Sequence, residues 1–241
     1  ERLKRQLKVM VSGRQIPHCQ LFIDSRGFGG LPLALYSAMG LLHGYSALET
    51  AEKKGNPSQK LWNHPDLHFV YPVVNKSSGG SKSVSDDYKL DWDKFLFTHP
   101  YGSIQDWIRQ LDAGNKQGMI GVEEVAKMHH KMFLKAHDGG NKVMILFGAD
   151  KLSETASNKL LKLLEEPPKN SYFFLIGEQI GGMLPTLVSR CQEVKLGPLS
   201  SEEIQAGLKK INVALGVSPS ASSGRGSWRK VLDELNAPSH T

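Results

Sequence analysis

Cysteine is nearly absent from this 241-residue chain. Cys19 and Cys191 are its two, too few and too far apart in sequence to read as a disulfide framework or a CxxC zinc site. A reducing cytoplasm is the compartment that fits such usage. Long apolar runs are missing as well. No stretch reaches the roughly 18 consecutive apolar residues of a membrane span, and the opening ERLKRQLKVM lacks the apolar core of a signal peptide. The chain starts with Glu1 in place of Met, which implies residues lost ahead of it. Charge of one sign is also scarce: 30 Lys and Arg against 24 Asp and Glu leave a formal +6 spread along the chain. Such a balance permits a nucleic-acid neighbour without diagnosing one, because Lys and Arg along helices are usually solvated faces. There is no internal repeat. What is present is a 39% apolar content, enough for one large domain or a domain plus a small appendage.

Apolar patterning predicts an alternation of strands and helices. HCQLFID (18–24) is a strand ending at the glycine turn SRGFGG, and LPLALYSAMGLL (31–42) is a helix apolar nearly all round, with Pro32 tolerated in its first turn. An amphipathic helix over 2–12 precedes them. LHFVYPVV (67–74) is a further strand, and NKSSGGSKSVSDD (75–87) a surface loop. Helices are expected near 87–98, 103–111 and 122–136, the last with Val122, Val125, Ala126, His129 and Phe133 on one face. VMILF (143–147) and YFFLI (172–176) are continuous apolar runs of the sort covered on both sheet faces. Between them Ser153 caps a helix stopped by Pro167 and Pro168, with Ala156, Leu160, Leu161, Leu163 and Leu164 facing inward. The expected fold is an α/β three-layer sandwich on a parallel sheet over residues 1–198. Residues 199–241 form a small helical appendage that opens with a capping box, Ser200 with Glu203.

A strand, a glycine turn and a buried helix are the context in which GxxxxGK[ST] would bind phosphate: backbone amides cradle the phosphates, lysine reaches the outer ones and the hydroxyl takes magnesium. Residues 24–31 read DSRGFGGL. Gly29 survives, but Asp24 stands at the first glycine, Gly30 at the lysine and Leu31 at the hydroxyl. The cation and the metal ligand are both missing, and Asp24 adds negative charge where phosphates would sit. Two readings stay open here. Gly27, Gly29 and Gly30 either make only a tight turn or are the vestige of a phosphate loop. A working ATP site would need Arg26 to replace the lysine. Hydrolytic sites place Asp then Glu after the second apolar strand; here Phe147 and Gly148 stand there, an aromatic ring that holds no metal and a glycine that polarises no water. Asp150 reads as an exposed acid before a helix. His64 with His68, and His129 with His130, lack the partners of a metal site.

NKLLKLLEEPP (158–168), FFLI (173–176) and LPTLVSRCQ (184–192), with the opening RQIPHCQLF, resemble the delta-prime subunit family of the bacterial DNA polymerase III clamp loader, within the AAA+ superfamily. The likeness extends over most of residues 2–215 and reaches WRKVL near the end. It implies an AAA+, P-loop NTPase-like domain with degenerate nucleotide motifs, followed by a partial helical lid with Arg229 as a lid arginine. It also implies that Arg190, flanked by Ser189 and Cys191, is an arginine finger offered in trans, and that no catalytic residue acts in cis. Delta-prime subunits are commonly non-hydrolysing stators, so no cofactor is expected on this chain. ATP and Mg are expected at neighbouring subunits, the partners being the gamma/tau motor and delta subunits and, indirectly, the sliding clamp and primer-template DNA, with no membrane. The residues alone leave Arg190 open to a surface salt bridge, and Cys191 reads as a small buried residue. Two departures stand out. The interval GYSALETAEKKGNPSQKLW (44–62) has no cysteine for the family's zinc module, and the collar domain is missing, which implies a fragment or a shortened paralogue. The rival expectations are an ATPase with an unorthodox site using Arg26 and Asp150, and an interaction module outside the clamp loader.

Overall fold

The computed structural model describes residues 9, 16–25, 28–46, 63–74, 83–99, 101–112, 116–137 and 139–197. The expectations for 2–12, 199–241, Arg26, Gly27 and Arg229 lie outside these residues, Val9 apart. In chain order the regular elements are β1 (Cys19–Ile23), α1 (Gly30–His43), β2 (Leu67–Val70), α2 (Lys89–Thr98), α3 (Ile104–Gln110), α4 (Val122–Phe133), β3 (Lys142–Phe147), α5 (Glu154–Glu165), β4 (Ser171–Gly177), α6 (Pro185–Val188) and β5 (Gln192–Lys195). Short 3-10 turns cover Ser85–Tyr88, Ala149–Lys151 and Ile180–Gly182.

The five strands form one sheet in the order β2-β3-β4-β1-β5, and every pairing is parallel. The runs Val143–Phe147 and Phe173–Ile176 are buried throughout, which is why their sequences carry no polar alternation. Successive side chains feed two cores. Phe22, Ile145, Phe147, Phe174 and Ile176 meet α1, α2 and α3 on one face, while Leu21, Met144, Leu146, Phe173 and Leu175 meet α4 and α5 on the other. The three-layer parallel α/β sandwich is therefore as expected.

Ser153 caps α5 by accepting the Ala156 N–H at 3.2 Å. Two expectations are corrected. Helix α4 buries Val125 as expected, but with Glu124, Met128 and Met132 and not with the other residues of the face that begins at Val122. Ala126 and His129 are exposed and Phe133 is 55% exposed. Val125, Met128 and Met132 form an apolar stripe at i, i+3 and i+7, and Glu124 joins it with its carboxylate accepting the Ser85 N–H at 2.7 Å. Burial raises the Glu124 carboxyl above its ordinary range, against the lowering effect of Ser85. The second correction is β5, which sequence patterning misses: QEVK is mostly exposed, because among the described residues this edge strand pairs only with β1.

Candidate functional site

Parallel α/β sheets collect ligands outside the carboxyl ends of their strands. Here the ends of β1, β3 and β4 are laced together: Asp24 N–H donates to Gly177 O at 2.9 Å and Gly148 N–H to Ile176 O at 2.8 Å. Beyond β1, the loop enters α1 through Gly29, whose φ of 101° is left-handed and suits glycine. A side chain at Gly29 would also meet the Tyr101 ring, 3.2 Å from its Cβ position. Burial raises the Tyr101 phenol above its ordinary range.

Asp24 occupies the cradle itself. Its Oδ1 accepts the Phe28 N–H at 2.5 Å and its Oδ2 the Gly30 N–H at 2.8 Å. The Gly30 amide opens α1 and the Phe28 amide lies in the loop just before its N-cap Gly29; unsatisfied donors and the dipole at a helix amino end favour an anion. The carboxylate supplies that anion from within the chain. Gly30 is needed for this closure, since a Cβ there would lie 2.9 Å from the Asp24 Cβ. Leu31, at the position where a phosphate loop would carry its hydroxyl, is buried in the core. A small cavity beside Asp24, lined by Gly102, Ile104, Phe147 and Gly177, has a volume of about 10 Å³, room for about one water.

The end of β3 is equally committed. The Phe147 ring lies 5.4 Å from that of Trp92 and 6.1 Å from that of Phe95. Gly148 has φ 85°, and a Cβ on it would meet Pro72 Cγ at 2.8 Å. Asp150 departs from expectation: its side chain is only 4% exposed, and its Oδ1 accepts the Glu178 N–H at 3.1 Å. It ties the loop after β3 to the loop after β4, with Lys151 Nζ 3.2 Å away. It is a buried fastening, not an exposed acid.

The second group of predicted residues lies elsewhere. Cys191 precedes β5, and the register that opposes Gln20 to Gln192 brings Cys191 beside Cys19 at the amino end of the sheet. From Cys19 to Asp24 is about 16 Å at the usual strand rise of about 3.3 Å per residue, farther than an arginine side chain spans. Arg190 and this chain's own cradle are thus at opposite ends. Arg190 donates from Nη1 to Thr186 O at 3.0 Å and pairs through Nη2 with Glu165 at the end of α5; its side chain is 37% exposed. Ser189 Oγ donates to Thr186 O at 3.0 Å. The open alternative of a surface salt bridge at Arg190 is thus realised, with Glu165 as a partner that sequence reading did not name. Cys191 is buried as expected, but it adjoins Cys19 with the sulfur atoms 2.7 Å apart, a proximity that cysteine spacing in the sequence hides. Among the described residues no three His, Cys, Asp or Glu side chains gather as a metal site. No helix among them is long and apolar enough to cross a membrane.

Comparison with known proteins adds kinship to this geometry. The family described as DNA polymerase III, delta subunit, matches residues 1–200. A DNA polymerase III subunit delta' of Haemophilus influenzae is 42% identical over 85 residues, 35% of this chain and 26% of that protein. The subunit delta' of Bacillus subtilis is 25% identical over 215 residues, 88% of this chain and 52% of its own length. A solved structure of a DNA polymerase III gamma subunit-related protein of Thermotoga maritima superposes with a TM-score of 0.48 at 14% identity, over 86% of this chain and 49% of that one. The chain spans about half or less of each of these proteins.

Proposed function

The chain belongs to the DNA polymerase III delta-subunit family and resembles its delta-prime members within the AAA+ superfamily, and on that premise we propose that it is a non-hydrolysing stator of a clamp loader. In this role Arg190 completes the ATP site of a neighbouring subunit while the complex of gamma/tau, delta and this chain loads the sliding clamp onto primer-template DNA. ATP and Mg act at the neighbours, not here. The observation that carries the proposal is the separation of its two halves. The cradle that would hold phosphate in cis is filled by the Asp24 carboxylate, whereas Arg190 stands at the far end of the sheet, half exposed on a surface ion pair.

Guanidinium suits the task because it is a planar, permanently charged fork that matches phosphate oxygens. The ion pair with Glu165 is no obstacle, since exposed pairs contribute only about 0–1 kcal/mol and a phosphate chain offers more charge. Asp150 gives no support to the rival ATPase reading, because its carboxylate fastens one loop to the next.

The test is reconstitution. Arg190→Ala is expected to assemble with its partners yet reduce hydrolysis at the neighbouring site by about 10³-fold or more, and the chain alone is expected to hydrolyse no ATP. An isolated chain with turnover above background, or a fully active Arg190→Ala complex, would overturn the proposal.

A further inference from the structure

The two cysteines have no part in the function proposed above, yet the fold sets them side by side. Cys19 opens β1 and Cys191 immediately precedes β5. With Gln20 opposite Gln192, the preceding residues face each other across adjacent strands about 4.8 Å apart, a separation inside the 4.4–6.8 Å between Cα atoms, roughly, that a disulfide spans. Both side chains lie on the face of the sheet covered by α5 and α6. Both are free thiols, and their sulfur atoms are 2.7 Å apart. We propose that Cys19 and Cys191 are a dithiol that a low-molecular-weight disulfide oxidises to an intramolecular disulfide, fastening β1 to the edge strand directly behind Arg190.

The roles of the two sulfurs differ. Cys19 is 1% exposed and Cys191 is 9% exposed. The hydrogen bond with Cys191, then burial and the adjoining Cys191 charge, push the Cys19 thiol far above the ordinary thiol range, so Cys19 stays protonated and makes a poor first nucleophile. Cys191 attacks first. Its route to solvent is β5, a four-residue strand bonded on one side among the described residues, where local opening costs little. The Cys191 thiol gives up its proton to solvent, and the thiolate attacks one sulfur of glutathione disulfide. A Cys191–glutathione mixed disulfide forms and one glutathione thiolate leaves and takes a proton. Once Cys191 is in the mixed disulfide, the Cys19 sulfur attacks the Cys191 sulfur, the Cys191–glutathione S–S bond breaks, and the Cys19 proton passes to the departing glutathione thiolate. Two protein thiols have become one disulfide, and one small disulfide has become two thiols, so the electron pair lost by the protein resides on glutathione.

The experiment uses the native chain incubated with glutathione disulfide, then alkylated under denaturing conditions and weighed intact. Loss of both alkylatable thiols, with a mass lower by two hydrogens and restored by dithiothreitol, is the expected result. Cys19→Ser should instead accumulate one glutathione on Cys191, while Cys191→Ser should stay unmodified as long as it is folded. Retention of both thiols in the native chain, or a stable mixed disulfide on the wild-type protein, would overturn the proposal. The wild-type measurement needs no variant to fold. It is also independent of clamp-loader activity, so failure of the stator reading would leave the thiol result untouched.

Discussion

At the carboxyl ends of β1, β3 and β4 the amides of Phe28 and Gly30 are bonded to Asp24, and the carboxylate of Asp150 is bonded to the loop after β4. At the amino ends of β1 and β5, by contrast, Arg190 lies on the surface, bonded to Thr186 O and paired with the Glu165 carboxylate. The polar groups at the carboxyl end thus close on one another inside the fold, whereas at the amino end the guanidinium is bonded at the surface, 37% exposed. The carboxyl end is organised around an internal anion and an aromatic core, so a single substitution would not open it.

The sharpest way to break that contrast is to try to restore the hydrolytic acid. Phe147→Asp would remove a ring packed on Trp92 and Phe95 and put a carboxylate in a position 4% exposed. Truncating a buried Phe costs about 3–5 kcal/mol, and an unpaired buried charge adds several more. The sum rivals the roughly 5–15 kcal/mol that holds a domain together. The variant is expected to be unfolded or aggregated by circular dichroism and urea titration. A folded Phe147→Asp chain that gained ATPase activity would mean the first end is only lightly closed.

A smaller effect is expected at the cradle. Asp24→Ala deletes the acceptor of two amides at the start of α1 and leaves buried donors unpaired, a loss of about 1–3 kcal/mol that urea denaturation would register. The freed amides should also gain a weak affinity for inorganic phosphate, measurable by calorimetry in proportion to the helix-terminus effect. Unchanged stability together with unchanged anion binding would show that the carboxylate does not stand in for phosphate.

Sequence reading reaches these two ends unequally. That the cradle lacks lysine and hydroxyl is visible in DSRGFGGL, and so is the sign of the charge that Asp24 adds. That its two oxygens cap α1 is not, because the bonds depend on a left-handed Gly29 and on the angle at which β1 enters the helix. The buried strands β1, β3 and β4 are legible because continuous apolar runs leave few other folds for them. β5 is not, since an exposed edge strand has no pattern to show. On α4 the spacing of Val125, Met128 and Met132 marks the buried stripe in the sequence itself, whereas the burial of Glu124 is not legible, because it depends on a bond to Ser85, a residue distant in sequence. The pairings of Arg190 with Glu165 and of Cys19 with Cys191 likewise join segments that only the folded sheet brings together. Local chemistry can be read along the chain, whereas the partner that fixes its role is set by topology.

The smallest perturbation addresses the open end. In Glu165→Gln the ion pair with Arg190 is lost, but both side chains are partly exposed, 37% and 47%, so the water that replaces the contact recovers nearly all of it. Stability should change by less than about 1 kcal/mol, within reach of a careful urea titration. Arg190 would retain its bond to Thr186 O, and the reconstituted complex should hydrolyse ATP at close to the wild-type rate. If Glu165→Gln instead lost activity as severely as Arg190→Ala, with stability unchanged, Glu165 would be a positioning residue that aims the guanidinium. The amino end of the sheet would then be preorganised by the chain itself, as the carboxyl end is, and the difference between the two would lie in what each was organised for.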